Sequence, residues 1–439
     1  MTNITVIGTG YVGLVAALGL SDFGNRVIGA DIDPDKISML QSGKSPIYEK
    51  GIEDYLRRNL DSGRLSFTTD IGKAVRSSEV VFLAVGTPPK EDGSADLSYI
   101  EKAVGTIADN AQGYTVVVTK STVPVGTNRI LQKYINTRNP EAEIEIVSNP
   151  EFLREGRAIQ DFFHPDRTVI GTESSRAKEV MKKVYRALNL ISVPFVWCNL
   201  ETAELIKYAS NAFLATKISF INQMAALSDA VGADIHIVSR TMGMDGRISS
   251  KFLHPGPGYG GSCFPKDTKA VVSTGERYGV DMSLIKTVIS ANEKQKKHVV
   301  EILVDMMGNP AGRTVAVLGL AFKSETDDVR DSPSLTLVSE LLSAGAELRA
   351  HDPKASDNFR KIIPELQCFD SSYEALEGAD ALVLMTEWNE YRALDLELVK
   401  AKMKGSVILD ARNLLDSDMA RDYGFNYRGI GRGNRLKVT

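Results

Sequence analysis

Residues Ile4–Gly13 read Ile-Thr-Val-Ile-Gly-Thr-Gly-Tyr-Val-Gly, an apolar strand entering a Gly8-x-Gly10-x-x-Gly13 turn, and the apolar run Leu14–Leu20 continues it as a helix. Few folds accept that succession. The first glycine permits the tight turn, the second lets the backbone approach a pyrophosphate, and the third lets the helix pack closely on the strand. A second strand, Arg26-Val-Ile-Gly-Ala, ends on Asp31, at the spacing where a carboxylate binds an adenosine ribose. Strand, turn, helix, strand and acid in this order predict a dinucleotide-binding βαβ unit.

The alternation continues to residue 150. Glu79–Gly86, Thr115–Thr119 and Ile144–Ser148 are uninterrupted apolar or β-branched runs, as suits strands covered on both faces. They predict a doubly wound parallel sheet, whose ligands gather at the carboxyl ends of the strands. The turns there read Gly86-Thr87-Pro88-Pro89, Ser121-Thr122-Val123-Pro124 and Asn149-Pro150-Glu151. Hydroxyl and carboxylate groups on one rim read as a site rather than as strand punctuation. Glu151 and Glu155, four residues apart, are expected on one helical face, where one of them can handle protons for bound water.

Residues 199–230 form the clearest helix, near 30 residues long. That length suggests a central spine joining two domains and a candidate subunit contact. Lys207 and Asn211 are one turn apart, so an ammonium and a carboxamide share a face, as oxyanion stabilisation requires. Residues 256–268 then concentrate chemistry: four glycines in the first six residues precede Cys263, Lys266 and Asp267. The plain reading is a glycine-rich turn with an inert cysteine. The functional reading is an active-site loop, with Cys263 as a nucleophile toward a carbonyl and Gly260 and Gly261 allowing close approach to a ligand.

Helical sequence runs to about Met307, and Arg313–Lys323 opens a second α/β unit with Gly319-x-Ala321 in place of the three-glycine turn. A second dinucleotide pyrophosphate is therefore not expected. Strands Glu347–His351, Ala381–Met385 and Val407–Asp410 complete the unit, and Lys323, Arg330 and Arg412 offer cations to a phosphate-bearing ligand. The tail from Arg428 is expected to fray. The fold class is thus α/β, two doubly wound Rossmann-like domains joined by a long central helix. The boundaries are 1–198 for the dinucleotide domain, 199–308 for the central helical region with the cysteine loop, and 309–439 for the second domain.

Bulk properties narrow the functions. At 439 residues the chain exceeds one core. Its 52 basic and 56 acidic residues give a net charge of −4, and no basic run interleaves with aromatics, so no nucleic-acid partner is expected. Lys294–Lys297 is expected to mark a solvated helix face. Three dispersed cysteines without a C-x-x-C or a histidine pair argue against metal and disulfides and for a reducing cytoplasm. The first strand begins by Ile4, leaving no room for a signal peptide, and no apolar run approaches the roughly 18 residues of a membrane span.

Assembled, these motifs resemble the UDP-glucose/GDP-mannose dehydrogenase family of nucleotide-sugar 6-dehydrogenases over essentially the whole chain. The Gly8 fingerprint, Ser121-Thr-Val-Pro124, Asn149–Gly156, Lys207 with Asn211, Gly260-Gly-Ser-Cys-Phe-Pro-Lys-Asp267 and Ala321-Phe-Lys323 carry the resemblance. It implies four-electron oxidation of the sugar C6 alcohol to a carboxylate with two NAD and one water, feeding nucleotide-sugar metabolism and polysaccharide biosynthesis. Cys263 is implied to trap the aldehyde as a thiohemiacetal and then carry a thioester. Lys207 and Asn211 are implied to stabilise the oxyanion, and Asp267, Thr122 and Glu151 to position or deprotonate the hydrolytic water.

The resemblance implies NAD contacts from Gly8, Gly10, Tyr11, Val12, Gly13, Asp31, Lys36, Thr87, Ser121, Thr122, Glu155, Lys266 and Arg330. Glu151, Phe152, Leu153, Lys207, Asn211, Tyr259, Gly260, Phe322, Lys323 and Arg412 are implied to hold the sugar nucleotide. Arg247 resembles an arginine that reaches a partner subunit's site, which implies a homodimer. Asp31 favours NAD over NADP, because a carboxylate repels a 2′-phosphate. Phe264 after the cysteine and Ser262 before it point to UDP-glucose over GDP-mannose and UDP-N-acetylated sugars. A two-electron β-hydroxyacid dehydrogenase would share the dinucleotide domain, but would need neither Cys263 nor a second α/β domain. A nicotinamide-binding regulatory protein would have no reason to keep every catalytic position.

Overall fold

The computed structural model describes residues 1–433, and they divide into two compact units: Met1–Ser210 with Ser273–Tyr278, and Asn211–Val272 with the chain from Gly279 onward. Within the first unit, β1 (Asn3–Ile7), β2 (Arg26–Ala30), β3 (Leu65–Thr68), β4 (Val80–Leu83), β5 (Thr115–Thr119), β6 (Ile144–Ser148), β7 (Thr168–Gly171) and β8 (Phe195–Cys198) form one sheet. Its order is β3-β2-β1-β4-β5-β6-β7-β8. The five expected strands are its centre, and β4 and β5 are buried along their whole length. β3, β7 and β8 were not legible as strands, since none sits in an apolar run as long as the one around β4, and the edge strands β3 and β8 are partly solvated. The sheet is not wholly parallel: β7 runs antiparallel to β6.

The second unit holds β9 (Thr314–Leu318), β10 (Glu347–His351), β11 (Gln367–Cys368), β12 (Ala381–Leu384), β13 (Val407–Asp410) and β14 (Asn426–Gly429) in the parallel order β11-β10-β9-β12-β13-β14. Gly319 turns the chain at φ 103° after β9, much as Gly8 does after β1. Here, however, the N–H groups of Leu320 and Ala321 both donate to Asp352, at 2.8 and 3.0 Å. The donors that would cradle a pyrophosphate are spent inside the protein. The tail does not fray at Arg428, contrary to expectation. Arg428 lies in β14, and the Gly431 and Gly433 N–H groups donate to Asp229 at 2.9 and 3.1 Å. Residues 434–439 lie outside the described residues.

The long helix spans Leu200–Val231, 32 residues, and the chain passes from one unit to the other within it. Two more helices, Phe264–Arg277 and Ser283–Met307, follow the cysteine loop. The basic run on the latter is not uniformly solvated: Lys296 is buried and paired with Glu293 at 2.9 Å, because its stem lies on the apolar face of the helix. No helix among the described residues is long and apolar enough to cross a membrane.

The first unit fixes the long helix through one carboxylate. Gly126, at φ 90°, begins helix Thr127–Arg138 without a side chain to cap it. Glu204 supplies the cap from the long helix, accepting from Gly126 N at 2.6 Å and from Asn128 N and Nδ2 at 2.8 and 2.7 Å. Glu204→Leu leaves those buried donors unpaired and is expected to cost about 1–3 kcal/mol per stranded group. A fall in the urea midpoint at constant slope checks this, and an unchanged midpoint would refute the capping role.

Candidate active site

In the first unit the glycine turn is shaped by two different demands. A methyl group on Gly13 would fall 1.8 Å from the Gly8 carbonyl oxygen, and one on Gly8 would fall 2.7 Å from that of Ala84. These glycines are required by the protein's own packing. A methyl on Gly10 meets nothing within 4 Å, so that face is open to a ligand at the amino end of helix Tyr11–Asp22, where N–H groups and the helix dipole favour a phosphate. Asp31 is fixed at the end of β2 by Thr9 N, Thr9 Oγ1 and Lys36 at 2.8, 2.9 and 3.3 Å. Burial pushes its carboxyl up, but these partners outweigh burial and hold it below its usual value. The residues fit a dinucleotide with an unphosphorylated ribose. Tyr11 bonds Glu49, which also accepts from Gly156 N at 2.8 Å. That ties the glycine turn to the segment carrying Glu155. Val12 is half-buried on the same turn.

On the rim of the same sheet, Ser121 Oγ donates to Val85 O at 2.6 Å and Thr87 Oγ1 to Thr122 O at 3.0 Å, binding two of the three turns together. The Thr122 hydroxyl has no protein partner among the described residues. Glu151 and Glu155 do not share a helical face. Residues 151–154 are irregular and the next helix begins at Ala158, because the Glu151 carboxylate turns back to accept from Leu153 N at 2.6 Å. Its other oxygen lies 2.8 Å from Lys207 Nζ, both side chains being about 95% buried. Burial raises the Glu151 carboxyl, but Lys207, Leu153 N–H and Lys120 together hold it below its usual value.

Sequence reasoning missed three neighbours. Lys120, one residue past β5, is buried and donates to Asn149 Oδ1 at 3.1 Å. Asn149 Oδ1 also accepts from Tyr185 at 2.6 Å. Arg167 lies 3.7 Å over the Phe152 ring, with Lys207 Nζ 5.4 Å from the same ring. The signal for Lys120 was present, a charged residue inserted between an apolar strand and Ser121-Thr122. Asn149 stood in a turn already read as part of the rim, without a role of its own, and Arg167 gave no signal, since its place depends on strand pairing.

In the second unit, Cys263 O accepts from Asp267 N at 2.8 Å, so the thiol sits at the cap of helix Phe264–Arg277, where the dipole favours negative charge. Its Sγ is 3.5 Å from Ser262 Oγ. Asp267 is 1% exposed and lies between two donors, Asn211 Nδ2 and Lys266 Nζ, each at 2.6 Å. Lys207 and Asn211 are therefore each paired with a buried carboxylate rather than standing as two bare donors.

The glycines before Cys263 serve the chain's own approach more than expected. A methyl on Gly260 would meet Asp331 O at 2.4 Å, and one on Gly261 the Phe322 ring at 2.8 Å. Three amide side chains satisfy the buried loop: Asn222 to Gly256 N at 2.8 Å, Gln295 to Gly256 O at 2.8 Å, and Asn292 to both N and O of Tyr259 at 2.8 and 3.0 Å. Burial pushes the Tyr259 phenol up to about 12, so it stays a donor.

The remaining residues of this unit vary in readiness. Arg412 spans Met385 O and Phe322 O at 2.9 and 2.8 Å. Lys323 stands 5.5 Å from the Phe322 ring. Arg330 turns back on Asp328 at 2.8 Å. The Arg247 side chain is 89% exposed and, among the described residues, is held only by Asp245 two residues before it at 2.6 Å.

Residues 2–189, 201–294 and 316–417 match, in turn, the NAD binding, central and UDP binding domains of the UDP-glucose/GDP-mannose dehydrogenase family. The chain is 51% identical to a UDP-glucose 6-dehydrogenase of Rhizobium meliloti, covering 98% of this chain and 99% of that one. It is 44% identical to UDP-glucose 6-dehydrogenase TuaD of Bacillus subtilis, covering 98% and 94%. A solved UDP-glucose dehydrogenase of Pyrobaculum islandicum superposes with a TM-score of 0.92 at 39% identity, covering 98% of each chain.

The two glycine demands separate experimentally. Gly10→Ala is expected to keep the wild-type unfolding midpoint yet weaken NAD binding at least tenfold by calorimetry. Gly13→Ala is expected to lose about 1–3 kcal/mol of stability. Equal effects of both changes on folding would refute the open cradle.

Proposed function

We infer the function from one premise: the chain belongs to the UDP-glucose/GDP-mannose dehydrogenase family. It is an NAD-dependent UDP-glucose 6-dehydrogenase, converting UDP-glucose, two NAD+ and water into UDP-glucuronate and two NADH. NAD, when bound, accepts the hydride in each oxidation. Asp31 selects it by repelling a 2′-phosphate, and Gly8, Gly10 and Gly13 with Tyr11, Val12, Lys36, Thr87, Ser121, Thr122, Glu155, Lys266 and Arg330 are its proposed contacts.

The chain's own residues take these proposed roles. Cys263 as thiolate adds to the C6 aldehyde left by the first oxidation, holding the carbon as a thiohemiacetal, and the second oxidation converts that adduct to a thioester on Cys263. Water then cleaves the thioester, releasing the carboxylate and returning the thiol. Lys207 and Asn211 stabilise charge on the C6 oxygen, worth roughly 3–4 kcal/mol per donor. Glu151 and Asp267 with Thr122 position or deprotonate that water. Phe152, Leu153, Tyr259, Gly260, Phe322, Lys323 and Arg412 hold the sugar nucleotide. The observation that carries the reading is a thiol at the amino end of a helix whose first turn delivers Asp267, buried, to the Asn211 carboxamide. The division at 1–198, 199–308 and 309–439 is kept as the working domain description.

A homodimer is proposed as the working form. Its support is an apolar stripe of Phe213, Phe220 and Leu227, spaced by seven on the long helix and 65, 42 and 53% exposed, where an unpartnered seam calls for another helix. Arg247, extended into solvent, is proposed to reach the partner's site. Three reduced cysteines support a cytoplasmic setting.

NADH formed per UDP-glucose consumed is expected to be two, with Cys263→Ser stalling before the acid and GDP-mannose left unused. A yield of one, or turnover indifferent to Cys263, would overturn the thioester route. Phe220→Lys is expected to shift the sedimenting species from dimer to monomer, and an unchanged mass would remove the stripe from the interface.

A further inference from the structure

The first unit contains a cation for which the proposed chemistry has no use. Lys120 is buried at the carboxyl end of β5, and its only hydrogen-bond acceptor among the described residues is Asn149 Oδ1 at 3.1 Å, an atom shared with Tyr185. An ammonium in such a place costs stability, and an apolar side chain of similar length would be neutral or better. The charged groups it faces are Glu151, which attracts it, and Lys207, which repels it. The Tyr185 phenol is kept protonated by burial. Burial pushes the Lys120 ammonium down to about 8, so near neutral pH it still carries charge.

Two lysines therefore act on one carboxylate, Lys207 in direct contact at 2.8 Å and Lys120 from Asn149, two residues before it. A single cation cannot both neutralise Glu151 and stabilise charge growing on a substrate oxygen. A second cation attracting the carboxylate releases the first for that work. We propose that Lys120 is a positioning residue of the oxidation: seated on Asn149, its ammonium holds Glu151 as a carboxylate while Lys207 turns its charge to the sugar oxygen. This rests on Glu151 and Lys207 being working groups. Lys120 acts through them and touches neither substrate nor cofactor.

The test is kcat against pH at saturating UDP-glucose and NAD, for wild type, Lys120→Met and Lys120→Gln. Losing the cation raises the Glu151 pKa, so the acidic limb is expected to move to higher pH by about one unit. KM values are expected to stay within twofold, and the unfolding midpoint at pH 7 to equal or exceed that of wild type. An unmoved acidic limb in a folded neutral variant overturns the proposal. So does failure of both variants to fold, which would make the ammonium structural. Failure of the underlying reading shows elsewhere, as one NADH per sugar from wild type or as full activity in Lys207→Met.

Discussion

An ammonium and a carboxylate 2.8 Å apart and almost wholly withdrawn from water, Lys207 and Glu151, set the terms for the rest of the first unit. Neither charge is tolerable there alone, since stranding one costs about 3–5 kcal/mol. Every neighbour is accordingly arranged to keep the pair intact. Leu153 N–H holds one Glu151 oxygen, Glu204 anchors the helix that carries Lys207, and Asn149 anchors the strand end before Glu151. One turn further along the same helix the arrangement repeats in neutral form, with the Asn211 carboxamide on Asp267. Lys207 and Asn211 each give a buried carboxylate a donor within hydrogen-bond distance.

Glycine serves two purposes that sequence cannot distinguish. Gly13 and Gly260 have no room because backbone oxygens lie at 1.8 and 2.4 Å from a would-be methyl, whereas Gly10 has space left for a ligand. The cysteine loop is consequently less a flexible flap than a buried strap, with its backbone groups satisfied by Asn222, Asn292 and Gln295. A buried segment without regular structure must find such partners. Those three amides are as much a condition of the cysteine loop as its glycines.

The second unit repeats the strand–glycine–helix opening of the first and withholds its ligand. Asp352, at the end of β10, occupies the position Asp31 has at the end of β2. It accepts from the turn's own N–H groups and from the Trp388 indole at 3.2 Å. One topology thus yields a dinucleotide cradle where Gly10 leaves an open face and a closed turn where a carboxylate consumes the donors.

The sequence by itself determined the elements whose signal is local. Uninterrupted apolar runs marked the central strands, the glycine spacing and Asp31 marked the cofactor, and a long unbroken helical stretch marked residues 199–230, observed as Leu200–Val231. Cys263, Lys207, Asn211, Asp267, Thr122 and Glu151 were legible as candidates because reactive and polar types fall beside glycines, at a one-turn helical spacing or in the turns after apolar strands. Only the tertiary structure decided their partners. It removed Glu151 and Glu155 from a common helical face, buried Lys296, placed Arg428 in a strand, and brought Lys120, Asn149 and Arg167 beside Glu151 and its neighbours. The physical reason is the same in each case. A side chain's pairing depends on which strand ends become neighbours and on how little water remains there, and neither is written in the spacing of residues along the chain.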